Sequence, residues 1–475
     1  MKNLTLEVDD FVNKFVEALK DDNAAIFAGA GLSLPSGYLD WEGLLSPIAK
    51  KLKLNIKEEH DYVALAQYFV DEVGGRGELN QLLKDEFSKS DIKVSENHRI
   101  LARLPIKIFW TTNYDDLIEK ALSELEKTPD VKRRQQDLSI NLPRRDAIIY
   151  KMHGDLILLD EIVMTKHDYE DYYKVRELFS NAFKTDFVSR TMLFIGFSFI
   201  DPNLDYLISR IRTITGHSKR PDYYFIKIEK NLRNRRRQQL RANTLKKYGL
   251  YPVWVKEYSD ITDILREIER RYLRSTIFIS GSAHEYGPKW KSNFEAEKFI
   301  YSLSRKISSE KFKIVTGFGL GVGSSVINGA LDNMKDKKNK NIDHYLILRP
   351  FPQTNYPNPS EIQESWKKYR ESFIPLAGIA IFMFGNKIKE KKIKFADGMR
   401  QEFEIAIRNN LKIVPIGITG YVAKEIWDEL MKNFKKYYPE YPNLISKFKK
   451  LGNNTVNESI IIETVIEIIK KLNKK

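Results

Sequence analysis

Short apolar runs that end in glycine or polar residues recur along this chain, separated by stretches whose apolar positions repeat with a helical period. Ala24-Ala25-Ile26-Phe27 runs into a glycine turn, and Ile106-Lys107-Ile108-Phe109-Trp110 runs into Thr111-Thr112-Asn113. Ala147-Ile148-Ile149-Tyr150 leads to His153-Gly154, Met192 to Ile195 leads to Gly196, and Tyr223 to Ile228 forms another run. This alternation predicts an α/β fold with a mostly parallel sheet and helices on both faces. The ligand crevice of such a sheet lies outside the carboxyl ends of its strands, where the polar loops converge. A helical stretch from Asp260 to Tyr272 then precedes a fresh strand, Thr276-Ile277-Phe278-Ile279, and the pattern restarts. It continues through Lys313 to Val315, Tyr345 to Leu348, Ile379 to Phe382 and Ile413 to Ile416, with helical periodicity over Asn293 to Ser308 and Arg400 to Asn409. The boundary is expected near Arg274, giving domains of residues 1–274 and 275–475.

Composition narrows the chemistry. The 475 residues are 42% hydrophobic and 30% charged, an ordinary globular balance. No cysteine is present, which excludes disulfides, a catalytic thiol, thiolate zinc sites and iron–sulfur clusters. The amino terminus carries no basic segment followed by an apolar stretch, so a cytoplasmic protein is expected. The longest apolar runs are about half the ~20 residues a membrane helix needs, so no membrane association is expected. The net charge of +15 raises nucleic acid as a partner. Asn231 to Lys247 holds seven basic residues and no acidic one, and Lys387 to Lys394 holds five lysines and one glutamate. Solvated faces are the commoner meaning of such runs, and neither carries the aromatics of a nucleic-acid module. The charge equally suits an anionic dinucleotide.

Four strand-end loops in the first half carry candidate chemistry. Gly29-Ala30-Gly31-Leu32-Ser33 has glycines that let a backbone approach a pyrophosphate, with an ensuing helix amino terminus expected to supply amide donors. Thr111-Thr112-Asn113-Tyr114-Asp115 places an amide and a carboxylate two residues apart. Lys151-Met152-His153-Gly154 puts a histidine at a third strand end, and Gly196-Phe197-Ser198-Phe199-Ile200-Asp201-Pro202-Asn203-Leu204 gives the fourth loop. Taken singly, Asn113 reads equally as a turn residue or helix cap, Asp115 as a first-turn carboxylate and His153 as a satisfied loop histidine. The other six histidines, His98 and His217 among them, have no comparable setting and read as structural.

In this order, over roughly Ala24 to Leu204, the segments resemble the catalytic core of the sirtuin family. The resemblance implies a Rossmann domain that binds NAD through Gly29, Ala30, Gly31, Ser33, Gly196 and Ser198. Asn113 and Asp115 are then expected around the nicotinamide ribose, with His153 as the catalytic imidazole. Sirtuin deacylases also carry a four-cysteine zinc ribbon, and this chain has no cysteine. What remains is the half-reaction that needs only NAD+ as substrate and no metal or further cofactor: cleavage of the nicotinamide glycosidic bond by water. Nicotinamide leaves uncharged, so the enzyme mainly steadies an oxocarbenium-like ribose and positions water. An amide can hold that water or a ribose hydroxyl, and a histidine can accept a proton near neutral pH.

In the second half, Gly281-Ser282-Ala283 follows one strand and Thr316-Gly317-Phe318-Gly319-Leu320-Gly321-Val322-Gly323 follows the next, a pattern suited to a backbone cradle for phosphate. Arg370 sits on a helical stretch, and Gly398-Met399-Arg400-Gln401-Glu402 is expected to open a helix with Glu402 in its first turn. Either residue alone reads as a solvated helix position. Together the features resemble the SLOG superfamily of nucleotide-sensing Rossmann-like domains. The phosphoribohydrolases of that group have a P-G-G-x-G-T-x-x-E segment whose place is taken here by Phe384-Gly385-Asn386-Lys387 and Arg400-Gln401-Glu402. Ligand binding is therefore expected rather than a second hydrolase site. Gly281, Ser282, Gly319 and Gly321 would cradle the ligand, Arg370 and Lys387 would meet phosphate, and Glu402 would meet ribose hydroxyls.

A sirtuin-like domain followed by a SLOG domain resembles the NADase effectors of bacterial Thoeris antiphage systems. That resemblance implies an NAD+ glycohydrolase giving ADP-ribose and nicotinamide. It also implies activation by a cyclic ADP-ribose isomer made by a TIR-domain protein, NAD depletion in antiphage defence, and a homotetramer. The rival is a non-enzymatic nucleotide or nucleic-acid-binding sensor.

Overall fold

A computed structural model describes residues 5–89, 91–199, 207–211, 220–335, 341–351 and 359–473. Ile200 to Leu204 and His217 lie outside these. The chain divides into two compact units, Met1–Glu269 and Arg270–Lys475.

In the first unit, strands β1 (Ala24–Ala28), β2 (Ile108–Thr111), β3 (Pro129–Lys132), β4 (Ala147–Lys151), β5 (Thr191–Ile195), β6 (Asp222–Lys227) and β7 (Leu250–Val255) form a parallel sheet. Their order is β3-β4-β2-β1-β5-β6-β7. β1 and β5 are buried at every position, so both read as continuous apolar runs rather than alternating ones. The chain leaves β1 toward β2 on one side, and leaves β5 toward β6 on the other. Such a reversal opens a crevice at the carboxyl ends of the two strands between which it occurs. Gly29 to Ser33 and Gly196 to Ser198 follow those two strands.

The sheet is backed by an aromatic core of Phe27, Trp110, Phe179, Phe183, Phe187 and Phe194. Trp110 stacks on Tyr150 with ring centroids 4.0 Å apart. Burying each such ring contributes on the order of 1.5–3 kcal/mol, which makes this face of the sheet rigid support for the loops beyond it.

The second unit repeats the logic. β8 (Thr276–Ser282), β9 (Lys313–Thr316), β10 (Leu346–Leu348), β11 (Ile379–Phe384) and β14 (Lys412–Pro415) lie parallel in the order β10-β9-β8-β11-β14. A separate antiparallel hairpin pairs β12 (Asn386–Lys389) with β13 (Lys392–Phe395). The reversal falls between β8 and β11, so Gly281-Ser282 and Gly385-Asn386 flank this crevice.

The sequence pattern did not disclose β3, β7 or the hairpin. β3 and β7 are edge strands that begin with or contain a proline and alternate in burial, and all of β13 is exposed. β3 and the hairpin lack the apolar run that marks a buried strand, and in β7 Pro252 interrupts one.

Gly196 has φ +67°, and a Cβ there would lie 2.1 Å from the Leu32 amide nitrogen. Gly249 has a similar φ of +76° with nothing within 4 Å of a Cβ. Gly249→Ala should therefore cost only the left-handed strain, about 1 kcal/mol, whereas Gly196→Ala adds a backbone clash and should cost several times more. Denaturant midpoints of the two variants compare them directly, and equal midpoints would show that the Gly31–Gly196 contact gives way freely.

Candidate active site

The register of the sheet brings the predicted residues of the first unit together. Ala28 pairs with Thr111 and Thr111 pairs with Lys151, so Asn113 and His153 each stand two residues beyond a paired strand end. Gly31 N donates to Gly196 O at 2.9 Å, and Gly29 N donates to Ile195 O at 2.9 Å. A Cβ on Gly29 would meet Gly196 O at 2.5 Å, and one on Gly31 would meet Gly196 Cα at 2.8 Å. The close approach these glycines permit is therefore between two loops of the protein itself.

The expected helix start after Gly31 is corrected by the structure. Two 3-10 turns, Ala30–Leu32 and Leu34–Ser36, follow instead, and the next α-helix begins at Trp41. Pro35 within the second turn and Gly37 at φ +106° after it keep the segment from continuing as an α-helix.

Ser33 links the loops. Its Oγ donates to Asp115 Oδ2 at 2.7 Å and accepts from Asn113 Nδ2 at 3.0 Å. Asn113 Nδ2 also donates to Gly29 O at 3.0 Å. Because a carbonyl can only accept, that bond fixes which end of the amide is nitrogen. Asn113 Oδ1 is left buried with no protein partner. Asp115 Oδ1 accepts from Leu117 N at 3.1 Å, a local turn just ahead of the helix Leu117–Ser123, whose N-cap is Asp116. Asp115 lies two residues before that helix, so it is not the first-turn carboxylate its local pattern suggests; Glu119 takes the first turn. Asn113 is no helix cap, since its side chain reaches across to the glycine loop.

His153 is 4% exposed, with its ring edge-on to Tyr169 at 5.4 Å and Tyr172 at 6.1 Å between centroids. Arg76 holds the segment bearing these tyrosines through Asp168 at 2.7 and 2.8 Å and through Ile162 O at 2.6 Å. Ser198 is exposed and Ala30 half-buried. Cavities of about 440, 420 and 470 Å³ in this unit are lined by other residues, without Asn113 or His153 in their walls. Among the described residues no cluster of three or more metal-ligating side chains occurs, and no helix is long and apolar enough to cross a membrane.

Two buried residues beside this set were not singled out from sequence. Lys151 is fully buried. His98 is 2% exposed, bonds Ser95 Oγ through Nδ1 at 2.7 Å and has no partner at Nε2. Burial pushes the His98 imidazole down to about 4, against the opposite pull of Asp115. Lys151 closes the alternation of buried positions Ala147, Ile149 and Lys151 on β4, the one signal of its burial that the sequence carries.

In the second unit, the glycine loops again interlock. A Cβ on Gly319 would sit 1.9 Å from Gly281 O, and one on Gly321 would sit 2.1 Å from Ala283 O. Ser282 Oγ donates to Asn386 O at 3.1 Å. Arg370 and Glu402 are not the solvated helix residues that each suggests alone. They are buried against each other, with Nε to Oε1 at 3.2 Å. Ser280 Oγ donates to Glu402 Oε2 at 2.6 Å, Arg370 donates to Gln401 Oε1 at 3.1 Å, and the guanidinium lies 4.7 Å over the Phe351 ring. Burial pushes the Glu402 carboxyl up, while Arg370 and Ser280 pull it down. The helix begins at Asp397, which takes the first turn and leaves Glu402 in the second. Lys387 stands on the hairpin, paired with Asp397. Arg233, Arg235, Arg236 and Arg237 are exposed on the helix Leu232–Lys247, the solvated face such runs ordinarily make.

The Sir2- and TIR-associating SLOG family, STALD, matches residues 260–472. The SIR2-like domain family SIR2_2 matches residues 107–253. Along the whole chain, a protein of Cytobacillus dafuensis named NAD(+) hydrolase ThsA is 46% identical, covering 97% of this chain and 96% of that protein. Proteins of the same name from Bacillus cereus (strain MSX-D12) and Enterococcus faecium are each 42% identical. The first covers 98% of both chains and the second 93% of both. The two α/β domains expected from sequence, sirtuin-like then SLOG-like, are those the family matches identify.

His98 also sets a pH dependence. The fold holds its imidazole near 4, against an ordinary value of 6.5. Between those values the unfolded chain binds a proton that the folded chain refuses, so stability rises with pH across the window and is lost on acidification. The loss from this group should reach about 3 kcal/mol at most. Unfolding of His98→Gln and wild type, compared at neutral pH and at about pH 5, should show a flatter dependence in the variant. Parallel curves would count against a neutral buried His98.

Proposed function

This chain belongs to the ThsA family of NAD(+) hydrolases, and from that premise we propose that its first unit cleaves the N-glycosidic bond of NAD+, releasing nicotinamide and ADP-ribose. The second unit binds a cyclic ADP-ribose isomer made by a TIR-domain protein, and this signal switches the hydrolase on to deplete NAD in antiphage defence. A homotetramer in the cytoplasm is part of the same reading.

The observation that carries it is the buried Asn113 carbonyl, whose amide nitrogen is already committed to Gly29 O and Ser33 Oγ. That leaves Oδ1 as an oriented acceptor for a ribose hydroxyl or the attacking water. The water oxygen bonds to the ribose carbon as the bond to nicotinamide nitrogen breaks. Nicotinamide takes the bonding electrons and departs neutral, and the water's proton passes to His153. Orientation of water and ribose is worth much of the barrier because the leaving group needs no protonation. Asp115 keeps Ser33, and through it the amide, in place. With no cysteine in the chain the zinc ribbon of the deacylases cannot form, which favours water as the acceptor. In the second unit Arg370 would turn from Glu402 to the activator's phosphate and Glu402 to its ribose hydroxyls, beside the Gly281 and Gly319 loops. The family matched there is described as Sir2- and TIR-associating, which supports a TIR-made signal.

Nicotinamide release by the purified protein, with and without cyclic ADP-ribose isomers, tests the reading. Asn113→Ala and His153→Ala should each lower activated turnover by about a hundredfold or more. Undiminished release in both would sink the assignment. Glu402→Gln, which keeps the Ser280 contact, should raise the activator concentration needed by about tenfold or more, roughly 1.4 kcal/mol. Steeply salt-dependent duplex binding with no nicotinamide release would favour the sensor instead.

A further inference from the structure

The mechanism above uses Asn113 and His153 and leaves unused a fully buried cation two residues before His153. Lys151 ends β4 with no exposed surface. Its Nζ pairs with Glu119 Oε1 at 3.1 Å and Asp155 Oδ2 at 3.4 Å, and donates to the main-chain carbonyl of Asp115. Burial alone would push this ammonium down. The carboxylates of Glu119, Asp155 and Asp115 outweigh it and hold the group above its ordinary value, so it stays charged.

Two carboxylates would suffice to keep a buried ammonium charged. The bond to Asp115 O does something further. Asp116 O is taken by Lys120 N in the first turn of the helix Leu117–Ser123. Asp115 O lies just outside that ladder and receives the lysine instead. One ammonium therefore joins four pieces of chain: the strand leading to His153, the turn carrying Asn113 and Asp115, the helix bearing Glu119, and the segment opened by Asp155. Arg133 Nε supports that last piece, 3.2 Å from Asp155 Oδ2, and Arg176 donates to the carbonyl of Lys151 itself at 3.3 Å.

We propose that Lys151 is a positioning residue for glycosidic cleavage, fixing the distance between the Asn113 amide and the His153 ring through the Asp115 carbonyl. The proposal rests on the NAD+ hydrolase reading. It contacts no substrate, so its loss is felt in kcat more than in KM.

Lys151→Met alone leaves the buried Glu119 carboxylate without its cation, while Asp155 keeps Arg133, and risks misfolding. The informative variant is Lys151→Met/Glu119→Gln in the full chain, which removes that charge at nearly constant volume. Thermal unfolding, NAD+ turnover and amide hydrogen exchange over residues 113–117 are measured beside wild type. The double variant should unfold closer to wild type than the single one, with KM within about threefold, kcat lower by at least about tenfold, and faster exchange at 113–117. Recovery of kcat together with stability overturns the proposal, as does wild-type exchange at 113–117. Wild type that releases no nicotinamide under any condition fails the hydrolase reading, and the exchange at 113–117 then decides the positioning role alone.

Discussion

Gly31 N reaches Gly196 O at 2.9 Å because neither residue carries a Cβ. The rest of the first crevice is built outward from that approach. It sets the loop after β1 against the loop after β5, across the point where the chain's connections reverse. With the glycine loop fixed there, Gly29 O and Ser33 Oγ stand where the Asn113 amide can bond both. The amide then has one atom without a protein partner, its buried carbonyl oxygen. An unpaired buried acceptor costs on the order of 1–3 kcal/mol, a cost that persists at sites where it serves a purpose.

Much of this was legible in the sequence because strand ends advertise themselves. A buried parallel strand must be apolar throughout, so its end shows as an abrupt change to glycine or polar residues, as at Gly29, Asn113, His153 and Gly196. Three elements were hidden for the same reason in reverse: β3 and the hairpin β12–β13 are polar or alternating and look like loops, and the apolar run of β7 carries Pro252, which argues against a strand. Lys151 and His98 were hidden because burial of a charged or titratable side chain is decided by partners that meet it only in the fold. Glu119 and Asp155 come from different segments, and nothing in the local pattern of either announces a lysine between them. The 3-10 turns after Gly31 were missed because a glycine turn at a strand end usually feeds an α-helix, and Pro35 diverts this one.

Arg370 and Glu402 show the same limit from the other side. Each looks like an exposed helix residue, yet helices Pro359–Phe373 and Asp397–Arg408 bring them together at the end of β8, where Ser280 completes the pair. What separates the two crevices chemically is how far their polar atoms are already satisfied. The first keeps an oriented, unpaired acceptor. In the second the two charged groups meet each other.

That difference bears on what the second crevice can respond to. Separating a buried ion pair costs several kcal/mol if either partner is left alone. A simple anion could take Arg370 but would leave Glu402 buried without its cation, and a neutral sugar could satisfy Glu402 but would leave the guanidinium unpaired. On the proposed reading, a ligand presenting phosphate and ribose hydroxyls together replaces both partners at once, so the net cost falls only for that combination. The cell's abundant free phosphate and sugars each meet half of the requirement. On that reading a site closed by its own ion pair would reject them without a dedicated gate, and its selectivity would reside in the pair itself rather than in the shape of the glycine loops around it.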